Sequence, residues 1–106
     1  MRQFMLDFHL SVQPETEKRL KKILNSIKDQ EKFAQSIIDY QIAELQKSNL
    51  NLKLDLAALE KQYQMTSPEF YQQFSRGILG DESDFIVWSG LYEMLLQNEA
   101  NLQELK

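Results

Sequence analysis

The sequence predicts a mainly α-helical protein that carries one β-strand near its amino terminus. Residues 15 to 67 contain neither Gly nor Pro, so the middle of the chain favours helix. All three glycines follow this stretch, where they can end short C-terminal helices. Before it, residues 4 to 12 alternate apolar and polar side chains, which is typical of a strand with one buried face.

Composition limits the class of protein. The chain has 106 residues, of which 42% are hydrophobic and 26% charged, and it has no Cys. These values fit one small globular domain or two very small ones, and they argue against wholesale disorder. No apolar run approaches the roughly 18 to 20 residues that span a bilayer, and the start lacks the apolar region of a secretory signal. We therefore expect a cytoplasmic protein without membrane contact, disulfides or thiolate chemistry.

The first helix is predicted to begin at Pro14, because proline cannot donate to a strand ladder but suits the first turn of a helix. Glu15 and Glu17 then lie near the positive end of the helix dipole. The apolar residues that follow have the spacing of a single stripe, and basic side chains lie between them. The stripe consists of Leu20, Ile23, Leu24 and Ile27, and the basic residues are Lys18, Arg19, Lys21 and Lys22.

A long second helix is predicted to begin near Gln30, after a break at residues 25 to 29. Asp29 is a good N-cap for this helix. Residues 49 to 56 alternate like a strand, but their leucines also fit helical spacing and strong helix formers follow them. We therefore expect the helix to continue, with a hinge near Ser48.

Two shorter helices are predicted after the second one. Residues 66 to 69 combine a hydroxyl N-cap, an early proline and a glutamate in capping-box position, which predicts a helix over 68–76. Gly77 can take the left-handed conformation that ends this helix. A last helix follows, capped by Asp81 or Ser83.

The order strand, short basic helix, turn and second helix resembles the ribbon-helix-helix fold over about residues 4 to 46. The segment from Phe8 to Leu20 carries the closest resemblance. One strand with one apolar face is not stable alone, so two chains would pair their strands antiparallel over four helices. We therefore expect an intermolecular ribbon-helix-helix homodimer formed by residues 1 to 47.

In such a dimer the polar face of the ribbon would enter the major groove of DNA. His9, Ser11 and Gln13 can bond base edges, whereas the carboxylate of Asp7 would be repelled by phosphate. The alternative is a dimerisation module whose basic helix face is merely solvated. The predicted DNA-binding residues are His9, Ser11, Gln13, Lys18, Lys21 and Lys28.

Charge divides the chain unequally. Residues 1 to 64 hold ten Lys and Arg against nine Asp and Glu, whereas residues 65 to 106 hold two against seven. This division predicts different partners for the two parts. We treat 48–64 as a helical linker and 65–106 as an acidic, aromatic partner-binding segment.

Two motifs lie in that segment. A Gly-x-Leu-Gly-Asp turn at residues 77 to 81 precedes an Asp-Phe-x-x-Trp-x-x-Leu-Tyr helix at residues 84 to 92. Together they resemble the C-terminal segment of a group of small bacterial and archaeal antitoxins, over about residues 63 to 95. The resemblance implies that the N-terminal half binds operator DNA and that the C-terminal segment binds and neutralises a cognate toxin, commonly a basic ribonuclease.

Aromatic anchors and acidic side chains in this segment are the candidates for toxin contact, because such anchors dominate interfaces and acids steer basic partners. The alternative is that Phe74, Phe85 and Trp88 form a local core while the acids cap helices. The predicted contact residues are Phe74, Asp81, Asp84, Phe85, Trp88 and Tyr92.

Catalysis is not expected. The sequence shows no nucleophile with a paired base, no Gly-rich phosphate loop and no cluster of metal ligands, so we expect no enzyme activity, cofactor or metal. The second functional hypothesis is a dimeric interaction or scaffold protein that does not bind DNA.

Overall fold

The computed structural model describes residues 4–7 and 9–106, and these residues contain four α-helices. The chain divides into two compact units, which we call the N-terminal unit, Met1–Ala34, and the C-terminal unit, Gln35–Lys106. The helices are α1 Pro14–Ser26, α2 Gln30–Tyr63, α3 Ser67–Ser75 and α4 Ser83–Leu105.

The mainly helical prediction is confirmed, but the N-terminal strand is wrong. Residues 4–7 and 9–13 adopt no regular secondary structure, and no strand or ribbon exists among the described residues. The alternation marks one apolar face, but a strand also needs the ladder hydrogen bonds of a second strand. The helices of the described chain offer no such edge. Phe8, which belongs to the predicted strand, lies outside the described residues.

The predicted start of α2 is confirmed, since Asp29 Oδ1 accepts a hydrogen bond from the Lys32 N–H at 3.0 Å. α2 shows no break at Ser48, where we expected a hinge. The helix ends at Tyr63, and Gln64 follows with a φ of 54°. A continuous run of good helix formers therefore outweighs the weak polar patch at Ser48.

α3 has both of its predicted terminal signals. Thr66 Oγ1 accepts from the Glu69 N–H at 3.3 Å, and the Glu69 carboxylate accepts from the Thr66 N–H at 3.4 Å, which forms the capping box. At the other end Gly77 has a φ of +73°, and its N–H donates to the Phe74 carbonyl at 3.0 Å.

α4 differs from the prediction in its length and its cap. It has 23 residues rather than the few turns expected, and it continues through Gly90. Neither Asp81 nor Ser83 caps it, because the N-cap position is Glu82 and no side chain there makes a capping hydrogen bond. Its length allows it to run antiparallel to α2, as Tyr63 contacts Asp84 and Ser48 contacts Asn98.

The C-terminal unit has a core to which all three of its helices contribute. Phe70 of α3 and Trp88 of α4 are completely buried, and their rings stack with centroids 3.9 Å apart and planes 2° from parallel. The other buried hydrophobic residues are Leu52 and Leu56 of α2 and Leu95 of α4. The stack therefore lies where α3, α4 and α2 meet.

Hydrogen bonds extend from this stack to α2. The indole Nε1 of Trp88 donates to Ser67 Oγ at 2.9 Å, which satisfies the polar atom of a buried tryptophan. The Ser67 N–H donates to the Glu60 carboxylate at 2.7 Å. Since Ser67 opens α3 and Glu60 belongs to α2, the second bond spans the turn between these two helices, and the first joins the start of α3 to α4.

Asn49 interrupts the leucines that α2 contributes to the unit. Its side chain is only 6% exposed, and Oδ1 has no hydrogen-bond partner. A buried amide oxygen without a partner costs about 1–3 kcal/mol. Asn49 therefore places a polar group on the same face of α2 as the buried Leu52 and Leu56.

Replacing Trp88 by Ala should destabilise the C-terminal unit by about 3–5 kcal/mol, since it removes one ring of the stack and leaves a cavity. Replacing Ile86, whose side chain is exposed on the same helix, should cost less than about 0.5 kcal/mol. Urea unfolding of the two variants, followed by circular dichroism, measures the difference. Equal losses for Trp88→Ala and Ile86→Ala would contradict this description of the core.

Candidate partner-binding surfaces

The N-terminal unit exposes an apolar stripe on α1. No residue of α1 is buried, and Ile23 and Leu24 remain 49% and 51% exposed. Soluble monomers rarely leave a whole amphipathic face open to solvent, and such faces commonly mark contact surfaces. We define the α1 stripe as Leu20, Ile23 and Leu24.

Other apolar side chains of the N-terminal unit are also exposed. They come from the irregular segment before α1, and none of the described residues of this unit is buried. The unit therefore has no hydrophobic core in its described part. The exposed side chains of this segment are Phe4, Met5, Leu6, Leu10 and Val12.

Charge changes sign along α1. Glu15 and Glu17 lie in its first turn, and the basic side chains follow them. Lys21 Nζ pairs with Glu17 Oε1 at 2.9 Å, but both side chains are more than half exposed, so this pair adds little stability. The helix therefore presents an acidic beginning and a basic continuation beside the α1 stripe.

All six predicted DNA-binding residues are exposed and lie in the N-terminal unit. The structure does not align the first three on a ribbon face, because the strand is absent; Gln13 occupies the N-cap position of α1 without a capping hydrogen bond. The role of these residues in DNA binding stays a prediction. His9, Ser11 and Gln13 precede α1, Lys18 and Lys21 belong to it, and Lys28 follows it.

The predicted toxin-contacting aromatics lie in or against the core of the C-terminal unit. Trp88 has no exposed surface, and Phe74, Phe85 and Tyr92 are half-buried against the core. In this conformation Phe74, Phe85 and Trp88 pack together in the local core, as the alternative interpretation of the sequence expected. Sequence analysis missed Phe70, whose position four residues before Phe74 could have placed both on one helix face.

The two predicted acidic contacts have different surroundings. Asp81 is exposed, whereas Asp84 Oδ2 accepts a hydrogen bond from the Tyr63 hydroxyl at 2.6 Å. This bond, together with desolvation and the negative charge of Asp84, raises the pKa of Tyr63 to about 12. Asp84 therefore links α4 to the end of α2, and Asp81 is the more accessible of the two for a partner.

A second tyrosine binds a carboxylate of α4. The Tyr71 hydroxyl donates to Glu93 Oε1 at 2.8 Å, and this hydrogen bond is the main cause that raises the pKa of Tyr71. The ring of Tyr71 also contacts that of Tyr92, with centroids 5.2 Å apart. These contacts attach α3 to α4 on the outside of the core.

The described residues show neither a metal-ligand cluster nor a membrane-spanning helix. No group of three or more His, Cys, Asp or Glu side chains there is placed to hold a metal ion. No helix among the described residues is long and apolar enough to cross a membrane. Comparison with protein-family models, curated proteins and solved structures gave no match.

Stability should fall at high pH because Tyr63 is neutral when it donates to Asp84. Its pKa of about 12 in the folded chain exceeds the ordinary tyrosine value of 10.0, so its contribution is complete below pH 10 and is lost as the pH rises towards 12. A phenolate absorbance titration should show a late-ionising tyrosine that Tyr63→Phe removes and Asp84→Asn shifts to lower pH. An unchanged titration in Asp84→Asn would contradict this assignment.

Proposed function

We propose that this chain is a non-enzymatic interaction protein that forms a homodimer through its N-terminal unit. The proposal rests on the exposed α1 stripe. None of the described residues of the N-terminal unit is buried, so nothing in the chain covers this stripe. An isolated helix of 13 residues is marginal in water, so its stability depends on packing of its apolar face. A partner surface supplies that packing.

A second copy of α1 fits this surface. If two α1 helices pack antiparallel about a two-fold axis through the α1 stripe, Leu20 of each copy lies near Leu24 of the other and Ile23 lies close to the axis. The stripe of each copy then covers the stripe of the other. The proposed contact is helix against helix and needs no strand.

Within this class we propose a role of the antitoxin type. The dimer would bind operator DNA through its N-terminal units, and each C-terminal unit would bind a toxin protein in the cytoplasm. The exposed cations of α1 support the first part, because dimerisation doubles them on one assembly. Residues 35 to 106 hold eleven Asp and Glu against five Lys and Arg, which supports binding of a basic protein.

The resemblance over residues 63 to 95 is the reason to name a toxin as that basic protein. Asp81 is exposed and can steer such a partner, and Phe74, Phe85 and Tyr92 retain part of their surface for contact. The second candidate is a dimeric scaffold without DNA binding, which the same open α1 stripe supports.

Leu24→Glu should convert the dimer into a monomer, because it places a charge in the α1 stripe. Asn25→Glu introduces the same charge at the neighbouring exposed position and should leave the dimer intact. Sedimentation equilibrium of the full chain measures the association, and circular dichroism shows whether the C-terminal unit stays folded. A Leu24→Glu variant that remained dimeric would contradict the proposed contact.

DNA binding separates the two candidate functions. Binding of the unmodified dimer to a DNA duplex should fall steeply between about 50 and about 200 mM salt, since phosphate contacts release counterions. Lys18→Gln should reduce the salt dependence without changing the dimer. A dimer that fails to bind DNA even at low salt would favour the scaffold instead.

A further inference from the structure

Asn49 of α2 lies near the point where the contact between α2 and α4 changes character. The two helices run antiparallel, and Asn98 Nδ2 donates to Ser48 Oγ at 3.1 Å. Asn49 therefore lies level with Asn98, and α4 continues beyond this level through residues 99–105. We call residues 99–105 the α4 end. Because the helices are antiparallel, the α4 end runs along the α2 residues that precede Ser48.

Buried side chains lie on one side of Asn49 only. The other buried residues are Leu52 and Leu56 in α2 and Trp88 and Leu95 in α4. Every residue of these two helices is described, and none of α2 before Asn49 or of α4 after Leu95 is buried. The two helices are therefore completely packed only on the side of Asn49 where the aromatic stack lies.

Apolar side chains continue on the other side of Asn49, but they are only partly covered. Leu45 of α2 and Leu102 of the α4 end are half-buried, and Leu105 is 38% exposed. Leu102 follows the buried Leu95 by seven residues, which keeps it on the same side of α4. The α4 end therefore has an apolar side that gains less from burial than the part of α4 around Leu95.

Charge does not compensate for this incomplete burial. Glu104 lies in the last turn of α4, where the negative end of the helix dipole favours a cation, and this turn contains no basic residue. The α4 end also carries Glu99, and residues 35–48 of α2 hold two acids against one lysine. Both helices are thus negatively charged here, and their charges do not attract each other.

The amide oxygen of Asn49 adds a cost to the closed contact. The side chain is 6% exposed and Oδ1 has no hydrogen-bond partner, so the packed state has removed this oxygen from water without replacing the bond. If the α4 end moves away from α2, water reaches Oδ1 and restores a hydrogen bond. Opening therefore removes a cost that packing imposes.

We propose that the α4 end opens from α2 on its own while the stack of Phe70 on Trp88 stays folded, and that Asn49 promotes this opening. Closing gains partly covered leucines and costs the hydration of one amide oxygen, so the closed and open states are closer in free energy than the folded and unfolded core. The open state exposes Leu45 and Leu102. This device lies within the C-terminal unit and does not rest on the proposed dimer.

Amide hydrogen exchange of the full chain, followed residue by residue by NMR at several low urea concentrations, tests the proposal. Amides of the α4 end should exchange roughly tenfold or more faster than those of residues 88–95. Their exchange should also depend little on urea, because a local opening exposes little surface. Equal rates with equal urea dependence in the two segments would overturn the proposal.

Asn49→Leu distinguishes this device from ordinary fraying of a helix end. Leucine removes the unpaired oxygen and extends the apolar side of α2 between Leu45 and Leu52. Exchange of the α4 end should therefore slow by about tenfold relative to residues 88–95. Asn51→Leu makes the same chemical change at a nearby exposed position and should leave the ratio of the two rates unchanged.

The two variants give separate outcomes. A slower α4 end in Asn49→Leu alone would support the proposal. The same ratio of rates in Asn49→Leu and Asn51→Leu would overturn it, because the opening would then be independent of the buried amide. Faster exchange of the α4 end in Asn49→Leu would also overturn it, since Oδ1 would then have a partner in the closed state, such as a buried water.

Discussion

The stack of Phe70 on Trp88 holds the C-terminal unit together. It joins α3 to α4, and the Trp88 indole continues the connection through Ser67 to Glu60 of α2. The two rings and these two hydrogen bonds thus link all three helices of the unit. In a unit with so few buried residues, losing one ring removes a large share of the apolar contact that offsets chain entropy.

The two units differ in how much of their apolar surface is buried within the chain. The C-terminal unit buries its aromatic residues against one another, whereas the described part of the N-terminal unit buries none of its apolar side chains. A helix with an open stripe gains its stability from whatever covers it. The proposed dimer follows from this difference, and the proposed DNA contact then uses the charges that remain exposed around α1.

Local signals were the ones that sequence analysis could interpret. The Asp29 cap, the capping box of Thr66 and Glu69, and the left-handed Gly77 each depend on residues at most four positions apart. These local structures can therefore form independently of the rest of the fold. The predicted strand failed because alternation reports only which side chains are apolar, and a strand also requires a second strand beside it.

The role of the aromatic residues could not be predicted for a different reason. Trp88 and Phe85 have the same helical spacing whether they face a core or a partner, so the pattern left both alternatives open. Phe70 and Trp88 lie 18 residues apart with a turn between them, and no local rule links them. The hydrogen bond from the Tyr63 hydroxyl to Asp84 likewise joins residues 21 positions apart.

Hydrogen exchange of the full chain at two protein concentrations is the most direct test of this division. It shows whether the C-terminal unit is stable in the single chain and whether α1 of the N-terminal unit is stable only with a partner. We expect amides around Phe70 and Trp88 to be protected equally at both concentrations. Amides of α1 should gain protection only at the concentration where the chain associates. Strong protection of α1 in a dilute, monomeric sample, or rapid exchange around the stacked rings, would contradict this division of the chain.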